Sequence, residues 1–132
     1  MGEPPLRLLL IDDESSIREV TKATLEATGN WDVTLAETGE KGIRLAQQLN
    51  PHLILIDLMM PEMDGVTAFE KIRDIPATAK TPIAFFTAKA TIEEQPHFAE
   101  MGIRGVISKP FQPLELSNDL LALLDETERQ GS

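Results

Sequence analysis

Apolar residues are distributed along this chain in two ways: short runs with no polar alternation, and longer stretches where they recur at helical spacing. Leu53 to Ile56 is the clearest run, and it predicts a strand buried on both faces, as in a parallel sheet covered by helices. Leu6 to Ile11 and Pro82 to Phe86 are predicted as strands of the same kind. Trp31 to Ala36 is less apolar and is placed nearer a sheet edge, and Gly105 to Ser108 is the fifth strand.

Helical patterns fill the intervals. Ser16 with Glu19 forms a capping-box signature for a helix carrying Ile17, Val20, Ala23, Leu25 and Ala27, with a stop near Gly29. Gly39 to Leu49 has Ile43, Leu45, Ala46 and Leu49 at helical spacing and ends at Asn50-Pro51. Val66, Phe69, Ile72 and Ile75 mark a third helix, closed by Pro76. Thr91 and Glu94 form another capping-box signature, but Pro96 removes a backbone donor and predicts an irregular or late start to that fourth helix. Pro113 is expected to open the last helix, through Leu114, Leu120, Leu121 and Leu124. The order is βα five times over. Strict alternation with right-handed crossovers predicts an α/β parallel sheet with helices on both faces, in a single domain over residues 1–132 with a core over about 6–126 and a polar tail over 127–132.

Composition narrows the function. At 132 residues, 42% of them hydrophobic, the chain is long enough for one domain with a substantial core. Asp and Glu outnumber Lys and Arg 22 to 12, for a net charge of -10, which argues against direct nucleic-acid binding and favours a basic or metal-assisted partner. The absence of cysteine excludes a disulfide framework and a thiolate metal site. Leu8 to Ile11 is too short for a signal peptide or a membrane span, and Leu6 stands where myristoylation of Gly2 would want Ser or Thr. A cytoplasmic protein without a membrane anchor is expected.

Candidate chemistry stands where the apolar runs stop. Asp57 ends the Leu53 to Ile56 run and opens a Pro/Asp/Gly loop that reaches Gly65. Asp12, Asp13 and Glu14 follow the first strand, Thr87 and Ala88 the fourth, and Lys109 the fifth. Ligands of open parallel sheets bind at the carboxyl ends of the strands, so these residues are expected to face one crevice. His52 and His97 have no partner at metal-ligand spacing and are read as surface or packing residues.

Asp12-Asp13-Glu14, the DLMMPEMDG stretch from Asp57, Thr87-Ala88 and Lys109-Pro110-Phe111 together resemble the receiver domain of two-component response regulators, over nearly the whole chain. The resemblance implies a flavodoxin-like (βα)5 fold with strand order 2-1-3-4-5. It implies that Asp57 takes a phosphoryl group from a phosphohistidine on a sensor histidine kinase or histidine phosphotransfer protein. Mg²⁺ would be bound directly by Asp13 and Asp57, mainly through water by Asp12, and by the carbonyl oxygen of Met59. Lys109, Thr87 and the Ala88 N–H would contact phosphoryl oxygens, and Lys109-Pro110 would be cis. Such a protein is not a turnover enzyme: it catalyses only its own phosphoryl uptake and slow dephosphorylation, and it switches a surface toward a downstream protein effector.

Elementary chemistry agrees with that picture. Two carboxylates ~4 Å apart repel by on the order of 4 kcal/mol at an effective dielectric of ~20, so Asp12, Asp13 and Asp57 are poorly arranged without a cation. Hard oxygen donors suit Mg²⁺. An Asp carboxylate can also act as a nucleophile toward phosphorus.

Two rivals use the same architecture. A haloacid-dehalogenase-like phosphatase also uses a strand-end Asp with Mg²⁺, but its second acid two residues on is here Met59, so no group remains to protonate a leaving group. In a flavodoxin-type cofactor carrier, Asp12-Asp13-Glu14 would repel the flavin phosphate. The alternative within the receiver class is a piece of a larger transcription regulator or hybrid kinase. Glu93, Glu94, Glu100, Glu115, Asp119 and Asp125, set against Arg104, make the face of the fourth and fifth helices acidic, and a monomer with a basic partner is expected. Three residues before Lys109, receivers usually carry a Tyr or Phe that swings inward; Val106 is too short and stiff for that, so coupling is expected through Lys89 to Pro96.

Overall fold

Strands β1 (Leu6–Ile11), β2 (Trp31–Ala36), β3 (Leu53–Asp57), β4 (Ile83–Ala88) and β5 (Gly105–Lys109) pair in parallel, in the spatial order β2-β1-β3-β4-β5. A computed structural model describes residues 3–88 and 98–130 of the chain. The Thr91 and Glu94 signature, Pro96, and the Lys89 to Pro96 coupling segment lie outside the described residues. The less apolar β2 is an edge strand, as its pattern predicts, and β5 is the other edge.

The apolar runs divide by parity. Leu9, Ile11, Ile54, Ile56, Ile83 and Phe85 turn to one face of the sheet, where Ala46 of α2 (Gly39–Leu49) and Ala68, Phe69 and Ile72 of α3 (Gly65–Arg73) cover them. Leu8, Leu10, Leu53, Leu55, Ala84 and Phe86 turn to the other, under Leu25 of α1 (Ser15–Thr28) and Leu116 and Leu120 of α4 (Leu116–Leu121). Alternating side chains thus fill two cores from one continuous run, which is why Leu53 to Ile56 shows no polar alternation.

Some helix boundaries differ from the pattern. No side chain caps α1, and Glu14 rather than Ser16 is its N-cap residue, because the Glu14 N–H is already taken by Asp12 Oδ1 at 2.9 Å and the helix starts from that turn. Ile75 lies beyond α3, at the head of a short 3-10 turn over Pro76–Thr78. Pro113 does not open the last helix. A turn precedes α4, with the Glu115 and Leu116 N–H groups both donating to Gln112 O, and Leu114 is left 85% exposed rather than on the buried face. The expected polar tail includes a further short helix, α5 (Glu126–Gln130). Asp125 Oδ1 accepts from the Glu128 N–H at 2.7 Å and Glu128 Oε1 from the Asp125 N–H at 2.8 Å, a reciprocal cap readable as Asp-x-x-Glu in the sequence. Arg104 clasps Glu128 with both guanidinium nitrogens and ties α5 to the start of β5.

Two buried polar groups make measurable predictions. Thr21 in α1 is fully buried, and its hydroxyl is the one buried side-chain polar atom among the described residues that lacks a hydrogen-bond partner. Thr21→Val keeps the shape and removes the unmet donor, so the unfolding free energy should rise by about 1 kcal/mol in urea titration; a decrease would show that the hydroxyl is satisfied. Trp31 begins β2, and its Nε1–H donates to Ser117 Oγ at 2.9 Å in a buried contact. It stands at the amino end of the sheet, roughly 17 Å along the strand from the carboxyl ends. Its emission should barely change on adding Mg²⁺. Strong quenching would overturn that placement.

Candidate functional site

The ends of β1, β3 and β5 bring together residues far apart in sequence. Asp12 continues the pairing of β1 through its N–H to Ala36 O, and the buried Asp57 is the last residue of β3, opposite Phe86. Lys109 closes β5 opposite Ala88, and its Nζ lies 2.7 Å from Asp12 Oδ2 and 3.4 Å from Asp57 Oδ1. One carboxylate oxygen from each of Asp12, Asp13 and Asp57 falls within 4.8 Å of the others, with Asp12 and Asp57 buried and Asp13 exposed. The convergence expected of these strand-end residues is therefore observed for Asp12, Asp13, Asp57 and Lys109.

The remaining predicted residues sit close in the chain or the register. Thr87 is buried one position past Phe86, paired in register with Ser108, and Ala88 next to it is exposed. Met59 donates its N–H to Asp57 Oδ1 at 3.2 Å, while its side chain is 69% exposed, consistent with a backbone role only. Lys109-Pro110 is cis, as the resemblance implies. His52 is a packing residue: its Nδ1 accepts the Arg7 N–H at 2.9 Å, and it has no place in the acidic cluster.

Two contacts were not read from the sequence. Arg18 Nη1 donates to the Asp12 carbonyl at 2.7 Å, reaching back from α1 to fix the acidic turn. Its position four residues after Glu14, on the first turns of α1, is the signal that was available. Phe86 places its ring 4.8 Å below Lys109 Nζ, so the ammonium is held over an aromatic face as well as between carboxylates.

The electrostatics are unbalanced. Burial pushes the Asp57 carboxyl up to about 7, the Asp12 charge adds to the rise, and Lys109 only partly offsets it. For Lys109, burial acts to lower the ammonium, but the hydrogen bond and charge of Asp12, with Asp57, outweigh it and hold the group above its ordinary value. Among the described residues, one ammonium faces three carboxylates. Such a set of hard oxygen donors, with a buried acid driven toward its neutral form for want of positive charge, fits a divalent cation.

Residues 8–121 match the response regulator receiver domain family. The chain belongs to that family. Receiver domains generally bind Mg²⁺ at an acidic pocket and act with histidine kinases and downstream effectors. This receiver chain is 37% identical over 123 residues to the DNA-binding dual master transcriptional regulator RpaA of Synechocystis sp., covering 93% of this chain and 51% of that protein. It is 34% identical to Response regulator Rre1 of the same organism, over 97% of this chain and 57% of that one. The chain thus spans about half the length of the curated relatives it matches. Among solved structures, the chemotaxis protein CheY4 of Vibrio cholerae aligns with a TM-score of 0.82 and 29% identity, over 91% of this chain and 99% of that one. The receiver domain of sensor histidine kinase PA1611 from Pseudomonas aeruginosa, described with a magnesium ion coordinated in its active site cleft, aligns with a TM-score of 0.79 and 28% identity, over 90% and 97%. The strand order 2-1-3-4-5 of this receiver is the flavodoxin-like one. No helix among the described residues is long and apolar enough to cross a membrane.

Proposed function

We propose that this receiver is switched by phosphorylation of Asp57, with a phosphohistidine of a sensor kinase or phosphotransfer protein as donor. The observation that carries this reading is a buried strand-end carboxylate set between an acidic cluster and one ammonium. An oxygen of ionised Asp57 attacks phosphorus, the donor's P–N bond breaks, and the imidazole takes the electron pair as it leaves. Mg²⁺ would be held by Asp13 and Asp57, with Asp12 acting mainly through water and the Met59 carbonyl as a further donor, and would supply positive charge to offset the phosphoryl oxygens. Lys109 is already aimed at Asp57 and meets a second phosphoryl oxygen as a point charge. Thr87 and the Ala88 N–H serve a third. Attack by water on the phosphoryl group, with Asp57 as the leaving group, returns the carboxylate and releases inorganic phosphate. On this reading the chain catalyses only its own phosphoryl uptake and slow dephosphorylation.

The acidic surplus supports a protein partner for this chain rather than direct contact with nucleic acid, and a monomer with a basic downstream effector; a cytoplasmic location is proposed because response regulators are generally cytoplasmic. Incubation with a small phosphodonor and Mg²⁺ should add one phosphoryl mass to the intact chain. Asp57→Asn should abolish the shift, and chelation of the metal should suppress it. An unchanged rate of labelling in the variant would reject Asp57 as acceptor.

A further inference from the structure

We infer that the groove between the β2–α2 turn and the β3–α3 loop is a docking site for a basic, amphipathic segment of a partner protein. The cavity holds about 330 Å³, room for one or two side chains. Its apolar wall is Met60, Pro61 and Met63. Its rim carries Asp13, Glu37, Glu40 and Glu62.

The apolar wall is not fully spent on the core. Met60 and Met63 pack against the α2–α3 side of the sheet but stay only partly buried, and the Met63 thioether lies close over Gly39, where a Cβ would stand 2.7 Å from the sulfur. Three of the chain's five methionines fall between residues 59 and 63. Methionine is flexible and polarisable, and surfaces built from it adapt to apolar side chains of varied shape.

The rim decides the class of occupant. Lys41 is already paired with Glu37 at 3.2 Å, and Arg18 is turned inward to the Asp12 carbonyl. The groove is therefore acidic in a chain of net charge -10, which repels nucleic acid and anionic lipid alike. A protein segment that sets an apolar side chain between two Lys or Arg residues satisfies wall and rim together. Asp13 belongs to both rim and acidic cluster, so the groove opens beside the proposed phosphorylation site without depending on it.

The test uses the whole chain, free of Mg²⁺, with ¹³C-methyl methionine as reporter. Three synthetic peptides are titrated: amphipathic Lys/Leu, hydrophilic Lys/Ser and amphipathic Glu/Leu. The expected result is a saturable shift of the Met60 and Met63 methyls with Lys/Leu alone, while Met101 stays still. Glu40→Lys with Glu62→Lys should weaken that binding about ten-fold. Equal shifts with Lys/Ser would reduce the effect to bulk charge, and equal shifts with Glu/Leu to bulk hydrophobicity; either overturns the groove, as does unaltered affinity in the double variant. Phosphorylation of Asp57, followed by mass on the same protein, reports the other reading separately.

Discussion

Asp57→Asn should make the metal-free protein more stable at neutral and alkaline pH, not less. The folded state holds this carboxyl up to about 7, whereas an unfolded chain releases the proton near 3.8. Between those values the folded protein binds more protons than the unfolded one, so the group's contribution is fully present below pH ~4 and is lost as pH rises through ~7. The shift sets an upper limit of about 4 kcal/mol on the penalty carried by ionised Asp57 above that pH. Asparagine removes the charge and can still accept the Met59 N–H, and Lys109 keeps its 2.7 Å contact with Asp12. Urea unfolding in chelator should therefore show the variant more stable by about 2 kcal/mol at pH 8, with the gap closing toward pH 4. Mg²⁺ should stabilise the wild type far more than the variant, because it binds the folded state through the carboxylate that asparagine lacks. A variant less stable than wild type at pH 8 without metal would mean that Lys109 neutralises Asp57 after all.

How much of this was legible follows from what each residue is asked to do. Leu53 to Ile56 and Pro82 to Phe86 are buried on both faces, so burial itself writes the strand into the sequence, and the carboxylates at the run ends locate the site. The strand order came from resemblance, since alternation alone gives a parallel sheet and not the 2-1-3-4-5 sequence of neighbours. Helix starts were less legible. Ser16 and Glu19 have the spacing of a cap, yet the Asp12 side chain had already turned the backbone at Glu14, a tertiary demand of the acidic site that overrides a local signal. Pro113 fits the first turn of a helix, but α4 begins only at Leu116, after the turn closed on Gln112 O. The Arg18 side chain reaches the Asp12 carbonyl across 6 residues, signalled only by its place on the first turns of α1, and the Trp31 indole meets Ser117 across 86, a pair that no periodicity encodes.

Gly65→Ala should be the most damaging single-methyl change near the site. Gly65 starts α3 directly behind the end of β3, with its N–H donating to Leu58 O at 2.9 Å. A Cβ there would stand 2.7 Å from the Asp57 carbonyl oxygen and 2.8 Å from Leu58 Cα. Both are backbone atoms of the strand and loop that carry the acceptor carboxylate, so no flexible side chain can yield. Relief requires α3 to back away from β3 or the Asp57–Met59 backbone to shift, and either costs about 3 kcal/mol by comparison with overpacked cores. The same shift displaces the Asp57 carboxylate and the Met59 carbonyl relative to Asp13, so Mg²⁺ affinity should fall together with stability. Gly102→Ala separates this from a generic loss of glycine. Gly102 has φ +96° and nothing within 4 Å of its Cβ position, so alanine there meets only backbone strain of about 1 kcal/mol and should leave Mg²⁺ binding unchanged. Urea unfolding and Mg²⁺ titration of both variants decide the matter: wild-type Mg²⁺ affinity in Gly65→Ala would show that the β3–α3 junction does not position the site.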